Sequence, residues 1–140
     1  HEAAALTGHP IRVETGINME DIQAAYKFFQ ARGVKNLIIT LGEHGSIIAN
    51  SKGIRQIQCV KLSHAVDPTA AGDSFVASFC TGLCAGMSQE QALEFASYAA
   101  ALTVSRMGAI PSLPTVSEVQ SFMQKRCYTG FDLSELDALK

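Results

Sequence analysis

The chain has 140 residues, a formal net charge of −2, and 17% charged against 47% hydrophobic residues. That is enough apolar material for one domain with a real core. It excludes the strongly basic surface that a nucleic-acid or anionic-membrane partner needs, and no apolar run approaches the length of a membrane span. Residues 1–8 read as the end of a short helix closed by Gly8. They resemble neither a signal nor a transit peptide, and they begin without Met in the middle of an element, so a fragment is expected. After a loop at His9-Pro10, Asn18 is a candidate N-cap for a helix carrying Ile22, Ala25, Tyr26, Phe28 and Phe29 and ending by Gly33. Residues 34–41 form an apolar, β-branched run, read as a strand buried on both faces as in a parallel sheet. Residues 45–50 and 54–60 read as two further strands joined by a hairpin turn at Ser51-Lys52-Gly53.

The second half is helical in pattern. A small-residue helix is expected from about Asp73 to Leu83, with Phe75, Val76, Phe79, Cys80 and Leu83 apolar. Ser88 with Gln91, and Thr115 with Glu118, have the form of capping boxes. They open helices running to about Ser105 and Lys125, separated by Gly108 and a proline turn at Pro111-Ser112-Leu113-Pro114. Residues 127–140 are sparser and are expected to be loosely held. The order helix, strand, hairpin and three helices is α/β, with too few strands for a complete doubly wound sheet. Of the four cysteines, Cys80 and Cys84 read as two small hydrophobes on one helix face, with a metal or redox pair as the alternative. The absence of C-x-x-C fits a reducing, cytoplasmic setting.

The chain is organised around Asp67-Pro68-Thr69-Ala70-Ala71-Gly72-Asp73-Ser74-Phe75. A turn entering a helix presents free backbone N–H groups, and with the helix dipole these favour an anion. Gly72 permits close approach because it has no Cβ. Asp73 beside an anion site is read either as a helix cap or as a base that takes a proton from a nucleophile attacking a bound phosphate.

D-P-T-A-A-G-D-S-F resembles the signature of the ribokinase-like, or PfkB, carbohydrate kinases, D-T-x-[GA]-A-G-D-x-F, departing at Pro68 where the family often carries Thr. The resemblance implies the C-terminal part of a three-layer α/β/α fold, a Rossmann-like sheet with a β-hairpin. Residues 1–126 would be the nucleotide-binding half and 127–140 a tail. It implies ATP-dependent phosphorylation of a sugar hydroxyl, of a pentose or related carbohydrate. Asp73 would be the catalytic base, and Ala70, Ala71 and Gly72 the anion hole. Thr40-Leu41-Gly42-Glu43-His44-Gly45 resembles the family's T-L-G-x-x-G segment. Thr40, Leu41, Gly42, Gly45 and Gly72 would therefore face the nucleotide; an ordinary β-turn is the competing reading of the segment. Glu2 matches the acid of N-x-x-E-x-x-x-L-T-G, which helps place Mg2+ through water. Residues 99–114 resemble A-A-A-x-x-V-[TS]-R-x-G-A-x-P-S-x-P of ribokinases proper. That match implies a potassium site made by Asp67 and Thr69, by the backbone around Thr103, Arg106 and Gly108, and by the Ser112 hydroxyl. The implied partners are ATP and a small-molecule sugar, with a second copy or a missing N-terminal half completing the molecule. Two alternatives stand beside this: a non-catalytic nucleotide-binding or self-associating fragment, and a nucleoside or phosphosugar kinase of the same superfamily.

Overall fold

The computed structural model describes residues 1–62 and 64–139. Five helices and three strands follow one another as α1 (Glu2–Thr7), α2 (Met19–Gln30), β1 (Leu37–Thr40), β2 (Ser46–Asn50), β3 (Gly53–Ile57), α3 (Ala71–Cys84), α4 (Gln89–Val104) and α5 (Val116–Lys125). Short 3-10 segments lie at Gly42–His44, Ile110–Ser112 and Leu133–Leu139. No helix among the described residues is long and apolar enough to cross a membrane. The chain divides into two units, His1–Cys59 and Val60–Lys140.

In the first unit, Asn18 caps α2 as expected, its Oδ1 accepting the N–H groups of Glu20 and Asp21 at 3.0 and 3.1 Å. Asp21, in the first turn, is gripped by Arg12, whose Nε and Nη2 donate at 2.9 and 2.7 Å. That fork, aided by the Arg12 backbone N–H, pulls the Asp21 carboxyl down to about 2. The sheet has the order β1-β2-β3 with both pairs antiparallel. This corrects the parallel reading of residues 34–41: β1 is shorter, and Thr40 is exposed. A parallel return needs a crossover of a dozen or more residues, and the chain turns from β1 into β2 through Gly42–His44. β2, the central strand, is the one buried along its whole length. Ile22, Ala25, Ile39 and Ile47 form the core of this unit, with Ile11, Ile17, Leu37 and Ile54 packed around them.

In the second unit, the expected capping boxes open α4 and α5. Small residues bring α3 and α4 together: a Cβ added at Gly82 would meet the Ala92 Cβ at 3.1 Å, and Ala92, Ala96 and Ala99 are fully buried. Met87, Phe95, Val119, Met123 and Leu136 complete the core. Leu136 belongs to the stretch expected to be loose, yet it is fully buried. Gln120 Nε2 donates to the Leu133 carbonyl at 2.7 Å, and edge-on ring contacts run from Phe122 through Tyr98 and Tyr128 to Phe131. Aromatic anchors, which helical spacing does not reveal, hold this stretch. Cys80 and Cys84 also depart from expectation. α3 turns Ser74, Phe75 and Gly82 inward, leaving both thiols and Val76 exposed.

Candidate active site

The loop before α3 is held at several points within the second unit. The N–H groups of Val66 and Asp67 donate to the Val104 carbonyl at 2.7 and 3.1 Å, fixing the loop to the end of α4. The two oxygens of Asp67 then split their work. Oδ1 accepts the Thr69 N–H at 2.9 Å, and Oδ2 accepts the Gly108 N–H at 3.0 Å. The Thr69 side chain first, and then these N–H groups, hold the Asp67 carboxyl below its ordinary range. The Pro68 carbonyl accepts the Ala71 N–H at 3.1 Å, closing a tight turn.

That turn places Ala70 at φ 63 and ψ 6, a left-handed conformation that costs a residue with a Cβ about 1–2 kcal/mol. The helix starts at once behind it. Ala70 supplies no side-chain cap, and among the described residues no acceptor takes the N–H of Gly72 or Asp73. Two open donors thus stand at the positive end of a 14-residue helix. A Cβ at Gly72 would meet nothing within 4 Å, so the approach to these donors is clear. Asp73 is the third residue of α3, inside the helix, and its carboxylate is exposed. The capping role open to it in the sequence is therefore not the one it plays. Of the three residues read as an anion hole, Ala71 has its N–H committed to Pro68.

One turn further on, the Ser74 and Thr103 hydroxyls lie 2.8 Å apart, both buried, and Thr103 also donates to the Ala99 carbonyl at 3.0 Å. Nothing in the sequence pattern marked this pair, because single hydroxyls in alanine-rich helices look incidental. The Thr103 carbonyl accepts the Arg106 N–H at 3.1 Å. The Arg106 guanidinium reaches Glu118 at 2.6 Å, which brings the Glu118 carboxyl down to about 2. Ser112 is fully buried and donates to the Ala109 carbonyl at 2.6 Å within its own turn. Asp67 therefore joins Thr69 to Gly108 directly. Thr103 stands one residue before the carbonyl that anchors the loop, and Arg106 turns its side chain to α5.

In the first unit, Thr40 ends β1 and the following turn is knitted by its backbone. Leu41 donates to Gly45 at 2.8 Å, and Gly45 donates to Gly42 at 3.0 Å. Gly45 has φ 85, and a Cβ there would fall 2.1 Å from the Ile57 carbonyl oxygen, so only glycine fits. The Gln56 side chain donates to the His44 carbonyl at 3.1 Å. Glu2 lies in the first turn of α1 with its carboxylate exposed.

Comparison with known proteins places these features in context. The profile of the pfkB family carbohydrate kinases matches residues 1–116. The chain is 36% identical over 115 residues to a ribokinase of Haemophilus influenzae, covering 79% of this chain and 37% of that protein. It is 38% identical over 125 residues to a ribokinase of Arabidopsis thaliana, covering 88% of this chain and 31% of that one. The structure of Arabidopsis thaliana ribokinase complexed with ribose and ATP superposes with a TM-score of 0.81 at 34% identity, covering 88% of this chain and 38% of that one. The crystal structure of ribokinase from Thermotoga maritima superposes at 0.75 and 37% identity, covering 88% and 39%. The fold is thus ribokinase-like α/β, and the chain spans less than two fifths of the length of these relatives.

Proposed function

We propose, since this chain belongs to the pfkB family of carbohydrate kinases, that it forms the phosphoryl-transfer part of an ATP-dependent kinase acting on a hydroxyl of a pentose or related sugar. The observation that carries the proposal is the first turn of α3, where two open backbone N–H groups and an exposed carboxylate share one helix start behind the strained Ala70. Phosphoryl transfer asks chiefly for positioning and for donors aimed at developing negative charge. The N–H groups of Gly72 and Asp73, with the backbone of Ala70 and Ala71 shaping the turn, receive the transferring group. The Asp73 carboxylate takes the proton of the attacking sugar hydroxyl. Thr40, Leu41, Gly42 and Gly45 form a turn whose backbone a nucleotide can approach closely at Gly42, where a Cβ would meet nothing within 4 Å, while the bare face of Gly45 is taken up by the Ile57 carbonyl.

The donor set around the loop is all oxygen with a single carboxylate, a composition that suits a hard monovalent cation. Asp67 and Thr69, the backbone around Thr103, Arg106 and Gly108, and the Ser112 hydroxyl would hold potassium, which would supply fixed positive charge beside the loop. Glu2 would orient Mg2+ through water. The sugar contacts come from outside these residues, from the rest of such a fold or from a second copy. A cytoplasmic setting goes with this reading.

In the kinase that contains this segment, Asp73→Asn lowers kcat roughly 10³-fold through loss of the base. Near-normal sugar-dependent ATP consumption by that variant overturns the assignment. The open N–H groups at the start of α3 carry one second reading, a segment that binds nucleotide without turnover. Titrating the 140-residue chain with a non-hydrolysable ATP analogue, with and without potassium, separates binding alone from catalysis.

A further inference from the structure

Cys80 and Cys84 lie four residues apart on α3, and both are free and exposed. A helix stacks positions i and i+4 on one face with their Cβ atoms about 5–6 Å apart. A disulfide requires Cβ atoms about 3.5–4.5 Å apart, so an intact α3 keeps these thiols from oxidising to each other. A single thiophilic atom placed between them meets a different condition. A pyramidal centre with two bonds of the metal–thiolate length, about 2.3 Å, set nearly at right angles takes sulfurs about 3–3.5 Å apart. Rotation about χ1 brings the two sulfurs to that separation from neighbouring turns.

The surroundings select the kind of atom. Among the described residues no third His, Cys, Asp or Glu joins the pair, so a four-donor zinc site is not built here. The exposed neighbours on α3 are apolar, with Val76 at 58% and Leu83 at 39% exposure. The Thr81 hydroxyl is turned back onto the Ala77 carbonyl at 2.9 Å. The only charged side chain of α3 is Asp73, in its first turn. Two thiols in an apolar setting match a centre that takes two sulfur ligands and carries one organic group.

We propose that Cys80 and Cys84 form a two-thiol site for monosubstituted trivalent arsenic. The probe is phenylarsine oxide, which in water is the dihydroxide. Two As–OH bonds and two S–H bonds break, two As–S bonds form, and the hydroxyls leave with the thiol protons as two waters. Arsenic stays trivalent, and nothing is oxidised or reduced. The bridge clamps one face of α3 and is independent of the kinase reading.

The test is intact-mass titration of the 140-residue chain with phenylarsine oxide in the presence of excess glutathione. The expected result is one phenylarsenic per chain, resistant to that monothiol and removed by dimercaptopropanol. Two-point attachment exceeds one-point attachment by about 10²-fold or more, so Cys80→Ser and Cys84→Ser should each lose affinity by about that factor. The double variant Cys59→Ser/Cys127→Ser retains the resistant adduct. Amide exchange along α3 slows when arsenic is bound to the wild-type chain. Circular dichroism, and the alanine variants of the same two cysteines, check that any loss is not unfolding. A glutathione-resistant adduct in Cys80→Ser or Cys84→Ser, or its loss in the Cys59/Cys127 double variant with fold intact, overturns the proposal.

Discussion

The two units hold their candidate functional residues in different ways. In the first, the Thr40–Gly45 turn is shaped chiefly by backbone, through hydrogen bonds between Leu41, Gly42 and Gly45 and a glycine pressed against the Ile57 carbonyl, with one side chain, Gln56, reaching the His44 carbonyl. In the second, side chains join the backbone bonds to Val104 and Pro68 in holding the Asp67–Asp73 loop. The Asp67 carboxylate spans Thr69 and Gly108, and a buried hydroxyl pair joins α3 to α4. A backbone-shaped turn tolerates almost any side chain but not a Cβ at its crossing point. A side-chain-held loop tolerates glycine changes but not loss of its acceptor. The difference teaches where each unit is brittle.

The largest effect on the fold should come from Gly45→Ala. Its Cβ would sit 2.1 Å from one backbone atom and 2.8 Å from another, in a left-handed residue. Destabilisation of about 4 kcal/mol or more is expected in chemical denaturation. The matching change in the other unit, Gly72→Ala, meets open space and should leave the denaturation midpoint in place while weakening binding of an ATP analogue. A large loss of stability from Gly72→Ala would erase the contrast.

Next comes Leu136→Ala, which empties a fully buried position in the core of the second unit. A loss of about 3 kcal/mol is expected, and a loss near zero would mean that the closing 3-10 segment contributes nothing to that core.

Acid provides a milder probe, since each unit carries an Arg–carboxylate clamp, Arg12–Asp21 and Arg106–Glu118. Asp21 and Glu118 are both held near 2, against ordinary values of 3.8 and 4.5. Their folded values are depressed, so their contribution is complete above the ordinary range and disappears as pH falls toward about 2. Melting temperature followed down from about pH 5 should drop less steeply in Asp21→Asn and in Glu118→Gln than in the wild type. An unchanged acid limb in both variants would remove the clamps from the account.

The smallest effect belongs to Ala70→Gly. Relief of the left-handed conformation is worth about 1 kcal/mol and is largely offset by the greater freedom of glycine in the unfolded chain, also about 0.5–1 kcal/mol. Stability should barely move, and nucleotide-analogue affinity should fall as the turn loses its fixed shape.

Much of the fold was legible because local chemistry wrote it. Asn18, Ser88 and Thr115 cap helices where their hydrogen-bonding groups say they should. Strand direction was not legible. An apolar run such as residues 34–41 carries no record of its partner's sense, and the shortness of the following turn was the better guide. The order of the closing stretch is not legible, because Tyr128, Phe131 and Leu136 anchor it without any regular period. At the candidate site, the Asp67–Phe75 motif was plain. The strain at Ala70 was not, since alanine ordinarily avoids φ of 63 and no pattern announces the exception.

The alanine-lined seam between α3 and α4 has a consequence of its own. Small side chains make smooth surfaces, and two smooth helices could slide past one another by a turn with little change in contact. The Ser74–Thr103 hydroxyl pair opposes that slide, because a shift would part the buried Ser74 hydroxyl from its partner on α4, while Thr103 keeps its bond to the Ala99 carbonyl. It acts as a detent, and it sits beside Asp73 at one end and the Val104 carbonyl at the other. The height of the carboxylate above the loop is thereby indexed to the end of α4, so two inconspicuous hydroxyls set the mechanical tolerance of the whole helix start.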